Sequence, residues 1–266
     1  MRTLDIGILI VGTEILQGFT KDTNSGYLAE RLTQMGHEVK RITTVRDNVT
    51  EIIRAIRSHL KANYDIVFVC GGLGSTPDDV TLEAVAKAMD RPLTTSRKAL
   101  SWIKKKMLHL HKKGRLTDKR LSEPHRRMAR VPRGASVLYN KPGAAPGIVV
   151  KTRPRGRRKK AQKMIILPGV PRELKYILEE QIKSQVIKPS KERPFFKELE
   201  VRTYESQMYN MLLMMFGKDP DICIGSYPQD DKKVVLRVSG KREKVLATID
   251  QIKEELARID EAKGDR

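Results

Sequence analysis

The sequence predicts an α/β fold in which helices cover both faces of a mostly parallel sheet. Apolar, β-branched runs typical of buried strands alternate with amphipathic helical stretches. The strand–helix–strand order implies parallel pairing. A break at "KPSKERP" (188–194) separates a second, shorter pattern of strands and helices. We therefore expect a three-layer α/β/α sandwich over residues 1–188 and a small C-terminal α+β domain over residues 194–262.

The first 70 residues contain three predicted strands and two predicted helices. The strands are near-continuous apolar runs such as "LDIGILIVG", as expected of strands covered on both faces. The helices carry apolar residues three and four positions apart, and the first of them stops at Gly36. In chain order, these elements are strand 4–12, helix 23–36, strand 38–45, helix 50–62 and strand 65–70.

Shorter elements complete the first domain, and a βαββα unit forms the second. The later elements of the first domain are helix 80–89, basic helix 97–110, a helical segment 118–131 interrupted near Pro124, strands 136–139, 147–150 and 164–167, and helix 171–187. The second domain is predicted to contain strand 196–203, helix 205–215, strands 221–227 and 233–239, and helix 242–259.

The formal net charge of +21 is concentrated in one region of the chain. Residues 97–133 contain 14 lysines and arginines against two acids, and residues 151–163 contain eight with no acid. The second run includes Pro154 and Gly156 and has no apolar period, which predicts an exposed hairpin tip. The positive electrostatic field of these clusters attracts phosphates, nucleic acid or acidic surfaces. The alternative is a solvated charged face of the kind found in proteins adapted to heat or salt.

The composition excludes membrane-spanning and disulfide-rich classes. No apolar run approaches the roughly 18 residues that a membrane helix needs, and the N-terminal residues do not form a signal peptide. Two cysteines, Cys70 and Cys223, make neither a disulfide framework nor a metal cluster. We expect a cytoplasmic protein that does not contact a membrane.

The stretch "CGGLGSTPDDVT" places three glycines directly after a predicted buried strand. In a parallel sheet, ligands bind at the carboxyl ends of the strands. Glycine lets backbone N–H groups approach an anion there, and the helix that follows adds its positive end. The spacing matches neither a Walker loop nor a Rossmann fingerprint, so a simple tight turn is the alternative.

Two adjacent carboxylates, Asp78 and Asp79, follow the glycines. A phosphate cradle repels carboxylates unless a metal ion lies between them or they orient a water molecule. Alternatively, Thr76 caps a helix and Asp79 occupies its third position. The residues alone leave catalytic, metal-binding and capping roles open.

Polar residues also follow the other predicted strands. Glu14 and the stretch "DTNS" (22–25) come after the first strand, Asp47 after the second, and Pro168 and Gly169 after a later one. Each of these has a simple alternative as a helix cap or a turn. Because the carboxyl ends of parallel strands meet at one edge, we predict that these residues share a site with the glycine loop.

These pieces resemble the molybdopterin-binding (MoaB/MogA-like) superfamily, and within it the N-terminal domain of the CinA proteins. The matching motifs, in family order, are "VGTEILQG", "DTNSGYLAERLTQMG", "VRDN", "GGLGSTPDDVTLEA", "GAAPGI" and "LPGVPREL". The resemblance implies a MogA/MoaB-like domain that binds a phosphorylated pterin or a nucleotide diphosphate at the carboxyl edge of its sheet. It also implies catalytic roles for Asp47 and Asp79, a homo-oligomer and, for CinA-like domains, divalent-metal-dependent hydrolysis of ADP-ribose.

Three functions are therefore weighed. The first is a pyrophosphohydrolase of ADP-ribose or a related nucleotide diphosphate, with magnesium, manganese or cobalt held by Asp47, Asp78 and Asp79. The second is molybdopterin adenylylation, or pterin binding in molybdenum cofactor biosynthesis, with molybdopterin as the ligand. The third is a non-catalytic protein that contacts nucleic acid or another polyanion through residues 97–163, where only Trp102 and Tyr139 are aromatic. The residues expected to bind the substrate are Thr13, Glu14, Asn24, Ser25, Gly71, Gly72, Leu73, Gly74, Ser75, Thr76, Gly143, Pro168 and Gly169.

Overall fold

The structure is a computed structural model, and it describes residues 2–115, 117–118, 120–152, 161–190, 195–229 and 233–264. The chain divides into two compact units, Met1–Lys191 and Glu192–Arg266. The first unit contains a six-stranded sheet with helices on both faces, and the second contains a three-stranded sheet with helices of its own. The predicted fold class is therefore confirmed.

Eight strands and eight α-helices are described in the first unit, most of them close to their predicted positions. The strands are β1 (Asp5–Val11), β2 (Glu38–Val45), β3 (Ile66–Cys70), β4 (Leu93–Thr95), β5 (Arg130–Pro132), β6 (Ser136–Leu138), β7 (Gly147–Lys151) and β8 (Lys163–Leu167). The helices are α1 (Thr13–Leu16), α2 (Asn24–Gln34), α3 (Val49–Lys61), α4 (Thr81–Ala88), α5 (Arg97–Lys112), α6 (Glu123–Arg127), α7 (Pro171–Tyr176) and α8 (Lys183–Gln185). A π-helical segment, Ile177–Ile182, joins α7 to α8.

The large sheet has the strand order β2-β1-β3-β8-β7-β6. Strands β2, β1, β3 and β8 are parallel, while β7 runs antiparallel to both β8 and β6. One edge of the sheet therefore collects the carboxyl ends of β2, β1, β3, β8 and β6 together with the start of β7. We call this the carboxyl edge, and the opposite one the amino edge.

Two apolar cores cover the two faces of the sheet. Successive residues of β3 alternate between them. Val67 and Val69 belong to the core on the side of α3, α4 and α5, whereas Phe68 belongs to the core on the side of α2 and α7. All three side chains are fully buried, and burial of each such side chain contributes about 1.5–3 kcal/mol. A strand buried on both faces explains the unbroken apolar run in the sequence.

One predicted helix is wrong. The pattern of residues 118–131 predicts a broken helix, but only α6 is helical there, and Arg130–Pro132 forms β5. This strand pairs antiparallel with β4, which the sequence did not predict. Val131 is buried in the core on the side of α4, so packing outweighs the helical period of the surrounding residues. Strands β4 and β5 have only three residues each, which is too few to show the alternation of apolar and polar residues that identifies a strand.

The strands on either side of the basic run 151–163 pair with each other as expected for a hairpin. Lys151 at the end of β7 lies opposite Lys163 at the start of β8. Both strand ends lie at the amino edge of the sheet, away from the glycine loop. Residues 153–160, the middle of the hairpin tip predicted over 151–163, lie outside the described residues.

The second unit has the predicted βαββα order. Its sheet is antiparallel, with the strand order β10-β11-β9, and its apolar core includes Leu236, Val245 and Ile252. The elements are β9 (Phe195–Arg202), a 3₁₀-helical turn (Glu205–Met208), α9 (Tyr209–Met215), β10 (Ile222–Gln229), β11 (Lys233–Gly240) and α10 (Arg242–Gly264). In the described ranges, none of the helices combines the length and the apolar character needed to cross a bilayer.

His59 makes the stability of the first unit depend on pH. Its side chain is fully buried and packs against Gly7 and Tyr64. Nε2 lies 3.1 Å from the Thr43 hydroxyl, but Nδ1 has no partner among the described residues. Burial, with a smaller contribution from Arg41, lowers the pKa of His59 from 6.5 to about 4. The unfolded chain therefore takes up a proton more readily between these two values.

We expect the free energy of unfolding to fall as the pH drops from 6.5 towards 4, by about 3 kcal/mol in total from His59. The His59→Gln variant should lose the part of this pH dependence that comes from His59 and keep the part from buried His37, whose pKa is also lowered by burial, whereas His109→Gln, at an exposed position of α5, should keep both. Urea unfolding at pH 7 and pH 5 measures the difference. An unchanged pH dependence in His59→Gln would show that folding does not lower the pKa of His59.

Candidate functional site

The glycine loop (71–79) leaves the end of β3 at the carboxyl edge. Gly71 and Gly72 have positive φ angles of 109° and 63°, a region of backbone conformation that favours glycine. A Cβ atom at Gly71 would lie 2.0 Å from the carbonyl oxygen of Val11, so no side chain fits there. Leu73 anchors the loop by burying its side chain in the core on the side of α4. Glycine is therefore required for the close approach of this loop to the end of β1.

Asp79 fixes the shape of the loop. Its Oδ1 accepts a hydrogen bond from the Gly74 N–H at 2.7 Å. Its Oδ2 accepts two, from the Thr76 N–H at 2.8 Å and from the Thr76 hydroxyl at 2.6 Å. Helix α4 begins only at Thr81, so Asp79 does not occupy a position in its first turn. Asp79 therefore does not cap helix α4. Its carboxylate instead accepts three hydrogen bonds from within the loop.

Among the residues described, three N–H groups near the glycines of the loop have no hydrogen-bond partner. Those of Gly72, Leu73 and Ser75 donate to no acceptor in the part of the chain that the structure describes. The Gly71 N–H, in contrast, donates to the carbonyl of Leu167 at 3.0 Å. Backbone N–H groups close together in a glycine-rich turn form concavities that bind anions. Unpartnered N–H groups in such a turn suit phosphate or carboxylate oxygens as ligands.

Gly72 offers a test of how strictly the loop needs glycine. A Cβ atom there would lie 2.3 Å from Oγ1 of Thr81, which is buried and has no hydrogen-bond partner among the described residues. We expect Gly72→Ala to lose about 1–2 kcal/mol of stability from the positive φ alone, and more from this overlap. Gly18→Ala is the matched control, because Gly18 has a φ of 75° and a Cβ added to it would meet no atom within 4 Å. If thermal unfolding showed the same loss of stability in both variants, the predicted steric overlap with Thr81 would be contradicted.

Asp47 lies just beyond the end of β2 and is tied to Thr13, just beyond the end of β1. Its Oδ2 accepts from the Thr13 N–H at 2.7 Å and from the Thr13 hydroxyl at 2.9 Å, and its own N–H donates to Thr13 Oγ1 at 3.0 Å. Oδ1 of Asp47 has no hydrogen-bond partner within the described ranges. One oxygen therefore holds the side chain in place, and the other can accept a proton or bind a cation.

Other predicted substrate-binding residues support the loops of this edge. Asn24 is buried, and its Nδ2 donates to the carbonyl of Gly169 at 2.7 Å, which ties the start of α2 to the end of β8. The Ser25 hydroxyl donates to Asp22, whose carboxylate also accepts from the first N–H groups of α2. Glu14 is exposed on α1. Of these residues, only Glu14 has a carboxylate free to face a ligand.

The connection between β6 and β7 also lies at the carboxyl edge, and it is held by two residues that sequence reasoning missed. Asn140 is buried; its Oδ1 accepts from the Gly143 N–H at 3.0 Å, and its Nδ2 donates to Glu173 at 2.6 Å. Burial raises the pKa of Glu173. Gly143 and Pro168 are themselves buried, so they shape the edge. The motif "LPGVPREL" contains Glu173, and this membership was the sequence feature that could have identified it.

The three aspartates predicted to hold a metal do not form a ready-made site. Among the residues described, no group of three or more histidine, cysteine or acidic side chains is placed to hold a metal ion. Asp79 uses both oxygens to organise the loop, and Asp78 is exposed. A magnesium ion commonly takes one or two carboxylates and completes its shell with substrate phosphates. The free oxygen of Asp47 fits that mode, and metal binding by these aspartates stays a prediction.

Comparison with known proteins places this edge in a family context. Residues 7–188 match the family model described as a probable molybdopterin binding domain. A Pyrococcus abyssi protein is 42% identical over 175 residues, covering 66% of this chain and 67% of that protein. An Archaeoglobus fulgidus protein is 33% identical over 249 residues, covering 93% of this chain and 96% of that protein. The crystal structure of the protein CinA from Thermoplasma acidophilum is 34% identical, with a TM-score of 0.58 over 70% of this chain and 99% of that one.

Proposed function

This chain belongs to the molybdopterin-binding domain family, and we propose that it is a CinA-like enzyme that hydrolyses the diphosphate of ADP-ribose or a related nucleotide. The observation that carries this proposal is the set of unpartnered N–H groups at Gly72, Leu73 and Ser75. They lie on a loop at the carboxyl edge, where parallel sheets bind ligands. A diphosphate supplies several anionic oxygens to such a loop.

Hydrolysis also needs a group that takes the proton of the attacking water. Water attacks one phosphorus atom, the bond from that phosphorus to the bridging oxygen breaks, and ADP-ribose yields AMP and ribose 5-phosphate. In our proposal the loop N–H groups hold the phosphate oxygens and offset the charge that develops on them. Oδ1 of Asp47 accepts the proton from water. Asp79 acts through the loop, because it fixes Gly74 and Thr76 on either side of Ser75.

A divalent cation, magnesium, manganese or cobalt, is part of the proposal. When bound, such an ion neutralises phosphate charge and activates water. The exposed carboxylate of Glu14, at the same edge, would hold the ion together with oxygens of the substrate, which leaves Oδ1 of Asp47 free to take the proton. We therefore expect turnover to stop in the presence of a chelator and to return when the metal is restored.

Molybdopterin adenylylation is the second candidate, and the description of the matching family favours it. The same loop would hold the diphosphate, and the attacking group would be a phosphate oxygen of the pterin instead of water. The geometry of the glycine loop suits both reactions. The products distinguish them.

Polyanion binding, the third candidate, would use a different part of the molecule from the glycine loop. A cavity of about 650 Å³ lies at the amino edge, and its lining includes Arg91, Arg133 and Lys151. Arg91 donates to the carbonyls of Arg133 at 3.1 Å and Lys151 at 2.6 Å, which fixes its guanidinium in the wall. Because this cavity lies across the sheet from the glycine loop, a polyanion bound there would not occupy the proposed active site. Homo-oligomer formation remains an expectation from the family resemblance.

One assay tests these functions. Purified protein is incubated with ADP-ribose, NAD, FAD, or molybdopterin and ATP, each with and without magnesium, manganese or cobalt, and the products are separated by chromatography. We expect AMP and ribose 5-phosphate from ADP-ribose only when a metal is present. Adenylylated molybdopterin with release of pyrophosphate would support the second candidate instead. Absence of turnover in every mixture would contradict both enzymatic functions.

A further inference from the structure

The carboxyl edge continues from the glycine loop to an aromatic pair at the end of β6. The last residues of β3, β8 and β6 lie in one row across the sheet, together with the first residue of β7. Gly71 and Tyr139 each follow directly after a residue of this row. Cys70 pairs with Leu167 and Leu138 with Gly147, and the register of Ile148 opposite Ile166 places Gly147 opposite Leu167.

Tyr139 is open to solvent but is held in position. Its side chain is 41% exposed. The ring meets Trp102 of α5 edge to face, with 5.2 Å between the ring centroids and an interplanar angle of 63°. The ammonium group of Lys98 lies 5.0 Å from the centre of the Trp102 ring. One turn after Trp102, Lys106 donates to two carbonyls of the segment that follows Tyr139, those of Lys141 and Pro142, at 2.9 and 3.1 Å.

The distance from the glycine loop to Tyr139 matches the length of a nucleoside diphosphate. Strand β6 is the third strand from β3 in the sheet order, so their ends are separated by about 14 Å. This separation is comparable to the length of an extended nucleoside diphosphate. Leu73 and Val137 pack in or against the same apolar core. Tyr139 contacts Trp102 of α5, a helix whose Ile103 belongs to that core, so Tyr139 lies on the same side of the sheet as the anchor of the glycine loop.

We propose that Tyr139 is the stacking surface for the base of the nucleotide whose diphosphate binds the glycine loop. Trp102 holds the tyrosine ring, and Lys98 adds positive charge beside it. This inference rests on the proposed function and names the part of the site that selects a nucleotide over a simple diphosphate. Stacking tolerates different aromatic bases, so the surface would accept adenine and other bases alike.

The single tryptophan of the chain provides a direct readout, because Trp102 contacts the proposed surface. ADP-ribose and ADP should change its fluorescence on binding, and pyrophosphate should not. In calorimetry, Tyr139→Leu should bind ADP-ribose about tenfold more weakly or worse, with unchanged affinity for pyrophosphate. Tyr139→Phe retains the ring and should bind ADP-ribose as the wild type does.

The outcomes separate this inference from the proposed function. If the wild type binds ADP-ribose and Tyr139→Leu binds it equally well, the stacking surface is overturned while the proposed function stands. If a folded Tyr139→Leu variant loses ADP-ribose and pyrophosphate to the same degree, Tyr139 supports the whole edge and the inference is also overturned. If the wild type binds neither ADP-ribose nor ADP, both the proposed function and the inference fail.

Discussion

Replacement of Asp47 by asparagine is expected to lower kcat for ADP-ribose hydrolysis about a hundredfold or more, which is the usual contribution of a general base. The folded structure should tolerate the change. Asparagine can keep its oxygen directed at the N–H and hydroxyl of Thr13, the two donors that Asp47 Oδ2 now satisfies. Its NH₂ group then replaces Oδ1, and an NH₂ group neither accepts a proton from water nor binds a cation.

The variant is best compared with Thr13→Val, which removes the hydroxyl that positions Asp47 but leaves the carboxylate. We expect a smaller loss of kcat in Thr13→Val and nearly unchanged KM in Asp47→Asn. Steady-state rates over a range of ADP-ribose concentrations, with melting temperatures of the same samples, give these quantities. If Asp47→Asn retained wild-type kcat, Asp47 would be a structural link between β1 and β2 and no more.

Asp79→Asn is expected to impair binding and stability together, with a loss in kcat/KM of about a hundredfold, a size typical of lost transition-state hydrogen bonds. Both oxygens of Asp79 accept hydrogen bonds, one from Gly74 and the other from Thr76. The single side-chain oxygen of asparagine can accept from Gly74 or from Thr76 but not from both. Its NH₂ group then faces the N–H donor of the other residue. Hydrogen bonds to a charged group contribute about 1.5–3 kcal/mol each, so the loop should lose its fixed shape.

Asp78→Asn is the matched control, since Asp78 is the neighbouring acid and is exposed. We expect near-normal kcat/KM and melting temperature for this variant. Urea unfolding and ADP-ribose calorimetry on both variants separate the two positions. A drop in kcat for Asp79→Asn with unchanged stability and affinity would mean that Asp79 reacts directly with substrate or metal, contrary to the role its hydrogen bonds indicate.

The architecture was predictable because its strongest signals are local. The apolar runs of β1 and β3 and the periodic apolar face of α3 are long enough to identify a buried strand or an amphipathic helix. The pairing of β4 with β5 was not predictable, since three-residue strands distant in sequence carry neither period nor turn signal. Val131 joins the core through that pairing, and only tertiary packing decides it.

The location of the candidate site was also predictable, but the roles of its residues were not. Strand ends of a parallel sheet meet at one edge, so Asp47 and the glycine loop had to lie near each other. Which carboxylate keeps a free oxygen depends on loop conformation, and composition does not determine that conformation. The sequence treats Asp47 and Asp79 alike, whereas the structure commits both oxygens of Asp79 to the loop. The contact between Trp102 and Tyr139 likewise arises only when α5 packs beside β6.

The central claim is that the N–H groups of Gly72, Leu73 and Ser75 bind the diphosphate of a nucleotide. It is tested most directly by two-dimensional ¹H–¹⁵N NMR of labelled protein during titration with ADP-ribose. We expect these three amide signals to move progressively and to saturate together, with the Tyr139 region shifting in the same titration. The amides of Gly74 and Thr76 already donate to Asp79 and should move less. Saturable shifts confined to the amino edge, or no shift in the glycine loop while ADP-ribose is hydrolysed, would contradict the claim.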